Sequence, residues 1–253
     1  TKYHNLLSLY PLYVDMKYRN QVLKFLKDYQ LEKENTIDFE SWSVVLNENV
    51  DNFKIENPTY TKDEYFNLKK KYGNYASWAL WNENDEKDTN IIEENIGMLN
   101  SRFVGIALNI SKPVSNWSNF RGGTHDRKLK LAFNKGRIKG FYLTDLLKNV
   151  VEVNSTTIEK KIKNQEIQLD PHISFFIEEM KDIKVTDETE FLIFGNQAYK
   201  LFDNHLKRSF PNNKITHLRH YSARGTDKEW ITKTLDKIGF LEEFFNNGII
   251  NIE

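Results

Sequence analysis

The sequence predicts a three-layer α/β/α domain built on a central, mainly parallel four-stranded sheet. Three observations predict it. Short apolar runs recur in the second half of the chain, at Phe103-Val104-Gly105-Ile106-Ala107-Leu108, Gly140-Phe141-Tyr142-Leu143, Phe191-Leu192-Ile193-Phe194 and, more weakly, Ile215-Thr216-His217-Leu218. Such runs are expected of strands covered on both faces. Helical segments fall between or after them, over Thr124 to Phe133, Pro171 to Met180, Asn196 to Lys207 and Thr226 to Ile238. Strands alternating with helices make βαβ units and a parallel sheet. The chain has 253 residues, 39% hydrophobic and 28% charged, enough to bury one sizeable core.

Local signals justify the helices. Asp170 stands as the N-cap of the segment from Pro171, and Thr226 with Glu229 spells a capping box. Earlier in the chain, Val14, Tyr18, Val22, Phe25, Leu26 and Tyr29 keep helical spacing over Tyr13 to Leu31. Thr61 and Glu64 open a second helix from about Lys62 to Lys71, which Gly73 ends. Asn74 to Trp81 packs Tyr75, Trp78, Leu80 and Trp81 among small residues, and Glu83 to Asn90 reads as a surface loop. Lys160 to Gln168 reads as an exposed excursion. The economical division is one domain over 1–253, with a helical elaboration in 1–100 and the α/β core in 101–253.

Composition excludes several classes. Without cysteine there are no disulfides, thiolate nucleophiles or Cys-based metal sites. Thr1 to Asp15 holds His4, Asn5 and Pro11 without a basic n-region or small-residue cleavage site, so it does not read as a signal peptide. No apolar stretch is long enough to span a membrane. A cytoplasmic protein is expected, with no membrane partner. There is no P-loop and no dinucleotide glycine fingerprint.

Ligands of an open parallel sheet collect beyond the carboxyl ends of its strands. Those ends carry Asn109, Asp145 with Lys148 one turn on, Asn196 after Gly195, and His220 with Tyr221 and Ser222. Asn109 also reads as a turn cap, Asp145 as the N-cap of a helix over Leu146 to Val151, and Gly195-Asn196 as a plain strand-to-helix turn. An unperturbed imidazole titrates near neutrality, so His220 could stabilise a developing anion, or it can be a satisfied core histidine. Tyr72, Tyr75, Trp78 and Trp81 read as core. The net charge is zero, 36 basic against 36 acidic residues. Yet Arg121, Arg127, Lys128, Lys130, Lys135, Arg137 and Lys139 face only Asp126, and Lys207, Arg208, Lys214, Arg219 and Arg224 surround His220. Such groups suit phosphate-backbone contact, or form a solvated face. Gly122-Gly123 before Thr124 offers backbone amides to an anion.

The order of these motifs resembles the uracil-DNA glycosylase superfamily over roughly Phe103 to Gly239. Val104 to Asn109 resembles its first motif, and Gly140 to Lys148 its second strand and turn. Phe191 to Ala198 is similar to the third strand and glycine turn, and His220-Tyr221-Ser222 to the second catalytic motif. The resemblance implies a DNA-acting N-glycosylase that hydrolyses the glycosidic bond of a flipped damaged or deaminated base, with no metal or organic cofactor. Asn109 would position the attacking water and His220 would stabilise the departing base. Asp145 would face the base edge, Phe120 would stack on it, and Asn196 would stand at the third turn. Tyr221 to Arg224, Ser222 included, would press on the strand around the gap. Arg121, Arg127, Lys148, Arg219 and Arg224 would contact phosphates. Ile110 and Tyr221 stand where active members usually have Pro, and the acidic Asp145 replaces a base-reading amide. An Asp that accepts only would suit an exocyclic amine or ring N–H better than uracil. The alternative is a catalytically silent nucleic-acid or nucleotide binder on the same fold. A third reading is an α/β enzyme acting on a phosphorylated small molecule.

Overall fold

The computed structural model describes residues 59–241, which belong to one compact unit. The helix expected over Tyr13 to Leu31 lies outside the described residues. Chain order is α1 (Lys62–Tyr72), β1 (Ser77–Trp78), α2 (Asn90–Glu94), β2 (Asn100–Asn109), α3 (Asp126–Phe133), β3 (Phe141–Leu147), α4 (Ser155–Lys163), α5 (Leu169–Asp182), β4 (Glu190–Phe194), α6 (Asn196–His205), β5 (Ile215–Leu218) and α7 (Asp227–Lys237). Short 3-10 turns precede β2 and β3 and follow α6.

The sheet runs β1-β3-β2-β4-β5. The strands from β2 to β5 pair in parallel, and β1 pairs antiparallel with β3 through Ser77–Leu143 and Trp78–Tyr142. The sheet is therefore five-stranded and mixed, not the four-stranded sheet expected. Two residues are too few to show a strand period, so β1 leaves no pattern in the sequence.

Alternation along the strands divides the core in two. Val104 and Ile106 of β2, with Phe191 and Ile193 of β4, join Phe176 and Met180 of α5 and Ala198 and Phe202 of α6. On the opposite face Phe133 of α3 packs edge-on against Phe141 and Trp230 of α7 and tilted against Phe194, at centroid distances of 5.2–6.3 Å. Helices thus cover both faces, an arrangement compatible with three α/β/α layers. No described helix is long and apolar enough to cross a membrane.

Several boundaries follow the local signals. Thr61 caps α1 through a complete capping box with Glu64, and Thr226 caps α7 by accepting from the Glu229 N–H. Others do not. Gln168, not Asp170, precedes α5, and Asp170 sits in its first turn. The expected excursion at Lys160 to Gln168 begins inside α4. The helix expected over Leu146 to Val151 is absent, because β3 continues through Leu147.

Candidate functional site

The carboxyl ends of the strands carry a cluster of rings and polar groups. The loop after β2 bends through left-handed residues Asn116, Trp117 and Phe120, with φ of 49°, 62° and 59°. Non-glycine residues hold that conformation at a cost of about 1 kcal/mol or more each, so tertiary bonds must fix it. Here the Trp117 N–H donates to Gly73 O at 2.7 Å, Ser77 Oγ donates to Trp117 O at 2.7 Å, and Trp81 Nε1 donates to Phe120 O at 3.3 Å. The bend carries Phe120 to Tyr221, ring centroids 6.3 Å apart. Tyr221 in turn lies flat on His220 at 4.3 Å and edge-on to Phe194 at 5.7 Å.

His220 is held in one tautomer. The Ser222 backbone N–H donates to its Nδ1 at 3.1 Å, and Ser222 Oγ lies 2.7 Å from the same atom. A backbone N–H can only donate, so Nδ1 is the acceptor and the proton sits on Nε2. Among the described residues Nε2 makes no hydrogen bond, and it is not sealed from solvent. Burial, aided by the nearby His125, lowers the imidazole to about 4, so the ring is neutral at pH 7. Gly195 makes room for it. A Cβ there would lie 3.2 Å from His220 Cβ, and its φ of 90° suits glycine alone.

Asp145 stands inside β3, 2% exposed, rather than capping a helix. Its Oδ2 accepts from Asn119 Nδ2 at 2.6 Å. Desolvation pushes the carboxyl up to about 7, against the Asn119 bond and the Lys148 charge, which pull it down. Desolvation, and after it the Asp145 and Asp126 side chains, raise the Tyr221 phenol.

Asn109 serves the loop beside it. Its Nδ2 donates towards Ile110 O, Val150 O and Glu152 O at 2.7–3.0 Å, which clasps the segment after β3. Its Oδ1 accepts no bond among the described residues. It shares no hydrogen bond with the ring cluster. Asn196 is exposed at the first turn of α6, also outside that cluster.

The structure redistributes the expected cations. Arg121, 3% exposed, donates to Ser77 Oγ and to the carbonyls of Trp78, Leu80 and Asp88, so its guanidinium is enclosed rather than offered to phosphate. Lys148 is buried too, donating to Thr144 Oγ1 at 2.5 Å and Glu179 Oε2 at 2.6 Å. Lys128 and Lys130 turn inward to Ala223 O and Glu83 O. Arg127, Arg219 and Arg224 are exposed, Arg219 donating to Arg224 O and lying 3.7 Å from Glu229. The amide of Gly123 is taken by Asp126 Oδ2 at 2.8 Å, which removes the anion site expected at Gly122-Gly123. Tyr221 packs inward, while Ser222 and Arg224 face solvent.

Comparison with protein-family models, with curated proteins and with solved structures finds no match to this chain.

The function of the cluster therefore rests on its chemistry. Among the described residues no three His, Asp or Glu side chains gather as metal ligands. Asn119 and His125 were not singled out by the sequence. Asn119 sits in an irregular loop, and only the fold brings it to Asp145, while His125 fell within the helix expected over Thr124 to Phe133 and carried no signal of its own.

Proposed function

We propose that this chain is a uracil-DNA glycosylase-like N-glycosylase that cleaves the glycosidic bond of a base extruded from DNA. The observation that carries the reading is His220, a neutral imidazole whose Nδ1 is occupied and whose Nε2–H is open. As the bond breaks, negative charge moves onto the departing base. A fixed neutral donor meets that charge without first needing to lose a proton of its own. The open Oδ1 of Asn109 holds the water that attacks the sugar carbon, its orientation set by the three carbonyls that grip the other end of the amide. The parallel strands β3-β2-β4-β5 deliver these motifs to one rim, which supports the family reading.

The test is abasic-site formation on single- and double-stranded oligonucleotides carrying uracil, hypoxanthine, xanthine or a mismatch, beside the unmodified bases. Wild type is expected to release one base, and Asn109→Ala and His220→Ala to lose at least about a hundredfold of that rate. Absence of release on every substrate refutes hydrolysis.

One observation favours the silent alternative. The Tyr221 ring lies 4.3 Å from the His220 ring and covers a face that a base would otherwise use. On that reading the chain binds nucleic acid without cleaving it. Salt-dependent affinity then survives in His220→Ala, and its slope falls by about one for each of Arg127→Ala and Arg224→Ala.

A further inference from the structure

We propose that Asp145 reads the base, and that the base accepted here carries an exocyclic amine rather than oxo groups alone. The inference deepens the base-binding reading above and rests on it. Asp145 is 2% exposed, yet only one of its oxygens is engaged. Oδ2 accepts from Asn119 Nδ2. Asn119 cannot turn its amide to offer anything else, because Nδ2 also donates to Tyr75 O at 2.9 Å and its Oδ1 accepts from the Phe120 N–H at 3.0 Å.

That leaves Oδ1 of Asp145 without a hydrogen bond among the described residues, and it is not one of the sealed polar atoms. Phe120 follows Asn119 in the chain and meets Tyr221 ring to ring, and the Asp145 charge acts on Tyr221, so this carboxyl neighbours the aromatic cluster. The charged groups that act on it are Lys148 at the end of its own strand, Glu179 from α5 and Asp126 from α3. Lys148 is committed to Glu179, and among the described residues no ion pair reaches Asp145 to replace a ligand donor.

An ionised carboxylate accepts and never donates. An exocyclic amine presents two N–H groups to it. An oxo-only base presents a ring N–H flanked by one carbonyl oxygen (hypoxanthine) or two (uracil, xanthine), whose lone pairs repel the carboxylate in a dry site. Above pH 7 the site therefore favours cytosine, adenine or guanine over uracil, hypoxanthine or xanthine.

The test uses the full chain at pH 8. Each base is placed in a thymine-only single strand on a 2′-fluoroarabino sugar that resists hydrolysis, with a tetrahydrofuran abasic strand as reference. Every amine-bearing base is expected to bind about tenfold or more tighter than its oxo counterpart. Asp145→Asn is expected to close that gap to less than about threefold or to reverse it. Equal or tighter binding of the oxo bases by wild type overturns the proposal, as does an unchanged gap in the variant. The wild-type pairs decide the matter alone should the variant not fold. If no strand binds tighter than the abasic one, the base does not enter the site, and the base-binding reading falls together with this one.

Discussion

Replacing Asp145 by Asn should stabilise the protein, and by an amount that grows with pH. Burial raises the carboxyl from its ordinary 3.8 to about 7 in the folded chain. Between those values the folded state holds a proton that the unfolded state has released, so stability falls as pH rises through that window. This is opposite in sign to a salt-bridged carboxylate. At about 1.36 kcal/mol for each tenfold change in proton affinity, the displacement of roughly three pH units comes to about 4 kcal/mol above pH 7. Asn never ionises, and its amide oxygen can keep the bond from Asn119. The variant is thus expected to match wild type near pH 4 and to exceed it by up to about 4 kcal/mol at pH 8. Urea unfolding followed by tryptophan fluorescence, at intervals of half a pH unit, measures the difference, and Trp78 and Trp117 are fully buried reporters. Groups common to both proteins cancel in the comparison. A difference that stays flat within about 0.5 kcal/mol from pH 4 to 8, or a variant that weakens as pH rises, refutes the argument that this carboxyl is desolvated.

Two further outcomes test the frame around the site. Gly195→Ala forces a side chain into φ 90° and ψ 160° and brings its Cβ to 3.2 Å from His220; a loss of about 1–3 kcal/mol is expected, with a shifted His220 ring signal by NMR. A signal unmoved by the substitution would show that Gly195 does not seat the histidine. Glu179→Ala strands Lys148 in a buried position without its carboxylate at 2.6 Å and removes the acceptor of Tyr142 and Thr144. A loss of about 3–5 kcal/mol is expected in the same unfolding assay, and a loss below about 1 kcal/mol would mean that water replaces the carboxylate.

The elements legible in the sequence are those whose cause is local. Apolar runs mark β2, β3 and β4 because strands covered on both faces need no polar side, and Thr61 with Glu64 marks α1 because both bonds of the box span three residues. What was illegible depends on distant partners. Asp145 and Lys148 look like turn residues. Their places are secured by Asn119, 26 positions away, and Glu179, 31 positions away. Helix α4 escaped because Thr156 and Thr157 are weak helix formers and only Ile158 and Ile162 mark its buried side. The basic stretch from Arg121 was misleading for a related reason. Charge can be counted along a sequence, but not the carbonyls of Trp78, Leu80 and Glu83 that draw Arg121 and Lys130 inward.

That inward turn bears on how any ligand is chosen. With Arg121, Lys128, Lys130 and Lys148 committed to internal acceptors, the expected phosphate contacts that stay exposed are Arg127, Arg219 and Arg224, and Arg219 already lies near Glu229. The open atoms at the rim are of another kind. Asn109 Oδ1, Asp145 Oδ1 and His220 Nε2 are an acceptor, an ionisable acceptor and a neutral donor, placed by β2, β3 and the turn after β5. Hydrogen bonds of this sort discriminate strongly because a ligand lacking the matching group leaves a desolvated partner unmet, whereas cations bind any phosphate. On the proposed function, this division predicts modest, salt-sensitive affinity for nucleic acid, with selectivity set by these three polar atoms.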